Sequence, residues 1–201
     1  MTENEKQKNY NAYIKAFAKC GVDASKLLEV YGEQLKNATM SARADSGVAF
    51  DGSLINCVLN YLTPIACQIA DMGKRAKNAE GEVITVPFFQ GIDKNSIIKV
   101  CLLQHVSKIL QLEPNDNQWE IEKRGILYKY KDTNSMKTGL RSMWMATQCG
   151  IQFTEDEAEA ICVIDNKLED ENVRYHASTL ATIIMKANEL MYTSFKNDMK
   201  Q

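Results

Sequence analysis

The sequence predicts a mostly α-helical single domain with one or two short β-hairpins or extended arms. Three observations carry that prediction. Apolar residues recur at three- and four-residue intervals through most of the chain, the spacing of one helix face. Pro is scarce, at three residues in 201, while Met reaches nine, a balance that favours helices. Cap residues punctuate the apolar runs: Ser, Thr, Asp or Asn before them and Gly after them.

Residues 1–8 are polar and are expected to form a flexible N-terminus, leaving 9–201 as the domain. Over residues 10–20, Tyr10, Tyr13, Ile14, Phe17 and Ala18 make one face, and Gly21 ends the helix. A second helix follows Asp23, with Leu27, Leu28, Tyr31 and Leu35 as its stripe. Residues 37–52 are small and polar, a loop of a length that compact domains keep for a site or an interface. Residues 54–72 form a long apolar helix that Pro64 must kink or split.

Residues 82–89, β-branched and aromatic behind a turn-like 78–81, predict a short strand or arm. Residues 96–110 are the central helix, with Asp93 or Asn95 as its N-cap. Residues 114–117 signal a turn, and 119–122 with 125–130 predict a hairpin bending at 123–125. Three helices complete the chain. The first covers 136–149 and ends at Gly150. The second covers 155–164 behind a Thr154/Glu157 capping box. The third covers 172–195, with Leu180, Ile183, Ile184, Ala187, Leu190 and Met191 as its stripe.

A net charge of −2 offers no broad electrostatic grip on nucleic acid. Six cysteines without a CxxC pair support neither a zinc finger nor a dithiol redox centre. Set among apolar neighbours, they read as small buried hydrophobes in a reducing compartment. No run approaches the ~20 apolar residues of a membrane span, and the first residues lack an apolar signal core. A cytoplasmic protein without membrane contact is therefore expected, within a bacterial host or a virion if phage-encoded.

The chemistry-bearing segments occur in a fixed order. Residues 50–60 read Phe-Asp-Gly-Ser-Leu-Ile-Asn-Cys-Val-Leu-Asn, and the central helix carries Leu102-Leu103-Gln104-His105. Trp119-Glu120, Lys137-Thr138-Gly139-Leu140-Arg141-Ser142, the run from Phe153 to Ile164, and Ile184-Met185-Lys186-Ala187-Asn188 follow. This succession resembles the HD-domain superfamily of metal phosphohydrolases, in particular its small bacterial and phage members, over residues 20–195. The resemblance implies a helical fold around a divalent cation. The ligands would be a first His where Cys57 stands, the His-Asp pair where Gln104 and His105 stand, further His where Thr138 and Ile164 stand, and a last Asp where Asn188 stands.

Both carboxylates that would offset a cation are thus replaced, by His105 and Asn188. Gln104 brings only an amide, and the chain has two histidines, His105 and His176. The expectation is no catalytic residue, no bound metal and no cofactor. What remains is a vestigial pocket of Cys57, Gln104, His105, Thr138 and Asn188 that could hold a small ligand. Cys57 beside His105 would supply a nucleophile and a base, but no third group completes that pair. His176 reads as a surface or capping residue. Acidic residues 155–159 read as helix-dipole stabilisation.

Lys123, Arg124, Tyr128, Lys129, Tyr130 and Lys131 make a basic, aromatic segment suited to an acidic partner. With it, the loop 37–52 and the arm 82–91 are the expected contact elements. The leading functional expectation is a non-catalytic HD-like module that associates with other proteins or with itself as a structural subunit. A bacteriophage virion is one such assembly. The alternatives are a nucleotide- or small-molecule-binding pseudo-phosphohydrolase, and a divergent metal-dependent phosphohydrolase relying on His105.

Overall fold

The structure is a computed structural model and describes residues 1–131, 135–165 and 177–198. It is mostly helical, with two small antiparallel sheets. Helix α1 (Glu3–Lys19) takes in most of the segment expected to be flexible. Thr2 Oγ1 accepts from Glu5 N at 3.3 Å, and the Glu5 carboxylate takes Thr2 N–H at 2.7 Å, a capping box that anchors the first turn. Lys6 is buried there and donates to Asn37 Oδ1 at the end of α2 (Ser25–Asn37). Tyr13 and Phe17 are fully buried edge to face, and the Tyr13 hydroxyl donates to the Leu102 carbonyl.

The segment 37–52 is only partly a surface loop. Thr39, Met40, Val48 and Ala49 are buried, and the Ala42 carbonyl accepts from Leu127 and Tyr128 N–H. Next come α3 (Ser53–Cys57), one π-turn (Val58–Leu62) and α4 (Thr63–Ala70). Pro64 has no N–H for the Asn60 carbonyl, and the chain answers with a wider turn in which Thr63 N–H reaches the Val58 carbonyl. By length and composition this 18-residue run could span a membrane, contrary to the sequence reading. In this fold its Leu54, Val58, Leu62 and Ala66 are fully buried in the protein core.

β1 (Gly73–Lys77) and β2 (Val83–Pro87) pair antiparallel, Gly73 opposite Pro87 and Lys77 opposite Val83. β1 was not foreseen, because Gly-Lys-Arg-Ala-Lys has no strand composition; its β-branched partner imposes the pairing. The central helix is α5 (Lys94–Leu103), capped by Asp93 Oδ1 on Asn95 N–H at 2.9 Å. Asp93→Ala is expected to cost about 1 kcal/mol, read as a lower urea midpoint at unchanged slope.

After α6 (Lys108–Gln111), β3 (Leu112–Pro114) pairs with β4 (Tyr128–Tyr130), Leu112 opposite Tyr130. Between them lies α7 (Gln118–Arg124) rather than the first strand of a hairpin. Asn117 Oδ1 caps Glu120 N–H at 3.2 Å, and Gly125, at φ 62°, turns the chain out of the helix. The helix is too short for its 3.6 period to show, so Trp119 and Ile121 misled the strand reading. α8 (Thr138–Gln148), α9 (Glu155–Cys162), a 3₁₀ turn (Val163–Asp165) and α10 (Thr179–Asp198) follow. α10 lies across α4 and α9, and α5 packs on α4, α9 and α1, so one continuous core surrounds the central helix.

Candidate functional site

The central helix stops at Leu103, although the sequence carries its apolar pattern through to Leu110. A neighbouring helix causes the break. Ser107 N–H, which would serve the Leu103 carbonyl, donates instead to Ser142 Oγ of α8 at 3.1 Å, and Ser107 Oγ donates to the Thr138 carbonyl at 2.8 Å. Both serines are fully buried. The turn 104–107 then holds itself with i→i+3 bonds such as Lys108 N–H to the His105 carbonyl at 3.1 Å.

The start of α8 is fixed from the other side. The Asp165 carboxylate accepts Gly139 and Leu140 N–H at 2.8 and 2.9 Å, which places Thr138 against the break. A Cβ at Gly139 would collide with the Ile161 carbonyl, so the close approach of α8 to α9 requires glycine.

Gln104, His105 and Asn188 form one hydrogen-bonded chain. Asn188 Nδ2 donates to Gln104 Oε1 and to the Ile184 carbonyl, both at 2.9 Å. With both amide hydrogens used, Asn188 Oδ1 faces His105 Nε2 at 3.1 Å as an acceptor. That geometry assigns the proton to Nε2 and leaves Nδ1 a bare lone pair. Gln104 Nε2 and His105 Nδ1 are buried and have no protein partner. Burial, with the Lys108 charge adding to it, pushes His105 down to about 3, so the imidazole is neutral at physiological pH.

A cavity of about 340 Å³ opens beside this chain. His105, Lys108, Thr138 and Asn188 supply its polar lining. Val163, Ile164, Met185 and the Tyr192 ring supply its apolar side, with Glu189 also present and bound by Lys186 at 3.0 Å. Lys108 donates to the Met40 carbonyl and forms no ion pair among the described residues. Burial pulls its ammonium down to about 8, partly opposed by Cys57. Tyr192, half-buried, is pushed up to about 12 by the burial of its hydroxyl.

The structure therefore brings Gln104, His105 and Asn188 into contact and sets Thr138 and Ile164 on the same cavity. Cys57 does not join that chain. It is fully buried, pushed up to about 12 by burial and lowered somewhat by Lys108, and makes no hydrogen bond with His105. A protonated, enclosed thiol is no nucleophile. All six cysteines are free thiols, each held above its ordinary value first by burial. Among the described residues no group of three or more His, Cys, Asp or Glu side chains converges as a metal site would require. His176 lies outside the described residues.

Sequence reasoning missed Lys108 and Tyr192. A lone Lys one turn beyond Gln104, inside an otherwise apolar run, was the available signal for the first. Tyr192 carried none.

The basic segment 123–131 is not the hairpin face the sequence predicted. Lys123 and Arg124 end α7, where Arg124 meets Glu120 at 3.6 Å. Lys129 is bound by Asp116 at 2.7 Å, and the Tyr128 hydroxyl donates to Asp51 at 2.8 Å. Much of its positive charge is thus compensated within the chain, and Tyr130 stands exposed beside Lys131. Further cations without an ion pair among the described residues sit elsewhere. Lys74, Arg75 and Lys77 lie exposed along β1, while Val83 and Ile84 on β2 and the flanking Met72 and Phe88 are large exposed hydrophobics. The two strands make their extended contacts only with each other.

No protein-family model, curated protein or solved structure matches this chain. The likeness to HD-domain proteins rests on the residue pattern quoted above.

Proposed function

We propose that the chain is a non-catalytic helical module, HD-like in its residue pattern, that works by association as a subunit of a larger assembly of its own copies. The observation that carries this reading is the β1–β2 ribbon. It leaves three cations and four large apolar side chains in water, where an isolated two-stranded ribbon gains little stability for itself. At Gln104, Asn188 and His105, where a phosphohydrolase would hold a cation, an amide–amide–imidazole chain offers no carboxylate.

The occupant of the ribbon follows from charge. Glu155, Asp156 and Glu159 at the start of α9 are exposed, and none forms an ion pair among the described residues. The ribbon of one copy against the α9 start of another is a heterologous contact, which repeats into rings or filaments. Light scattering is expected to give a mass well above the 22.7 kDa of one chain. Reversing Lys74, Arg75 and Lys77 to Glu should return the monomer. Adding Glu155→Lys and Asp156→Lys to that variant should restore the assembly. A wild-type monomer, or a double reversal that stays monomeric, would defeat the reading.

A further inference from the structure

The cavity beside the helix break takes no part in that association, and its lining is specific enough to read. Its one cation, Lys108, has three N–H groups, of which one serves the Met40 carbonyl. A half-buried ammonium without an ion pair among the described residues has lost part of its hydration, and an anion arriving at the cavity would offset that cost. His105 adds no second positive charge: it is buried and Lys108 repels a proton there, which the Asn188 acceptor only partly offsets. The Glu189 carboxylate on the lining, already held by Lys186, opposes any ligand with several negative charges.

The rest of the lining is apolar and adaptable: Val163, Ile164, Met185 and Tyr192. A volume of about 340 Å³ is near the lower end of small-molecule sites, enough for one compact ring system or a short chain. It is too little for a nucleoside with its sugar and several phosphates. The geometry points to a binding site for a small monoanion with an apolar body, its carboxylate or phosphodiester head on Lys108 and its body on Met185 and Tyr192. The site is independent of the ribbon, so its occupancy and the assembly can be lost separately.

Isothermal titration of the full chain with three probes sharing one body tests this: 1-naphthoate, the diester methyl 1-naphthyl phosphate and the neutral 1-naphthalenemethanol. Both anions are expected to bind once per chain, and the alcohol at least about tenfold more weakly, a difference of about 1.4 kcal/mol. Whichever anion binds tighter identifies the natural head group as carboxylate or phosphodiester. Lys108→Met should erase the preference for anions while far-UV circular dichroism stays unchanged. Met185→Trp, which fills the cavity and leaves Lys108 in place, should abolish binding even if the lysine variant fails to fold. No binding of either anion to the wild type, equal binding of the alcohol, or an unchanged titration in Met185→Trp would overturn the assignment.

Discussion

Acidification from pH 6.5 towards pH 4 is expected to destabilise this fold by several kcal/mol through one side chain, His105. The folded chain holds its imidazole down at about 3, against an ordinary 6.5. Between those values the unfolded chain takes up a proton that the folded chain refuses. Stability is therefore complete above pH 6.5 and falls as the pH drops through the window. The full shift corresponds to something on the order of 5 kcal/mol, most of it lost by pH 4. The causes are structural. Burial disfavours the imidazolium, Lys108 repels it and stays charged throughout this range, and the acceptor Asn188 Oδ1 offsets only part of the cost. Urea midpoints measured from pH 7 to pH 4 should fall steeply for the wild type. They should fall far less for His105→Asn, which keeps a donor for Asn188. Parallel slopes for the two proteins would show that His105 is not the group responsible.

Lys99→Met should remove about 3–5 kcal/mol, the largest loss expected from a single surface-to-core substitution here. Lys99 Nζ meets Glu157 Oε2 at 2.6 Å with the two side chains 15% and 5% exposed. It also donates to the Gln152 carbonyl and lies over the Phe153 ring. Burial raises Glu157, but the bonds from Lys99, Thr154 N–H and Ser96 outweigh it and hold the carboxyl below its ordinary value. Removing the lysine strands a buried carboxylate; removing the charge on both sides does not. The double variant Lys99→Met/Glu157→Gln should accordingly recover much of the loss in equilibrium unfolding. If Lys99→Met alone costs less than about 1 kcal/mol, the pair behaves as a surface ion pair and the account fails.

Glu157 also shows how far the sequence could be read. Its place in the Thr154 capping box is a local spacing and was legible, and Asp93 at the start of α5 was one of the two caps the sequence offered. The tie from the same carboxylate to Lys99 and Ser96 joins residues about sixty positions apart and left no trace in the spacing. The mislaid elements have the same origin. β1 exists because β2 pairs with it. α7 is too short to display its period. The stop at Leu103 comes from Ser142 on another helix.

The candidate site divides along the same line. The resemblance had grouped Gln104, His105, Thr138 and Asn188 in one pocket, and in the structure Gln104, Asn188 and His105 are hydrogen-bonded in series with Thr138 on the adjoining cavity. The proton on His105 Nε2, the partial burial of Lys108 and the isolation of Cys57 were not legible in the sequence. They depend on which way an amide points and on how much water each group keeps.

By itself the sequence determined the helical class, the starts of α2, α3, α8 and α9, the apolar stripes and the absence of an acidic pair at positions 105 and 188. These follow from periodicity, capping and residue identity, which act within a few residues along the chain. Only the tertiary structure decided where the central helix breaks, what the basic residues pair with and which cation faces the cavity. Hydrogen bonds and burial between distant segments set those features, and no local pattern encodes them.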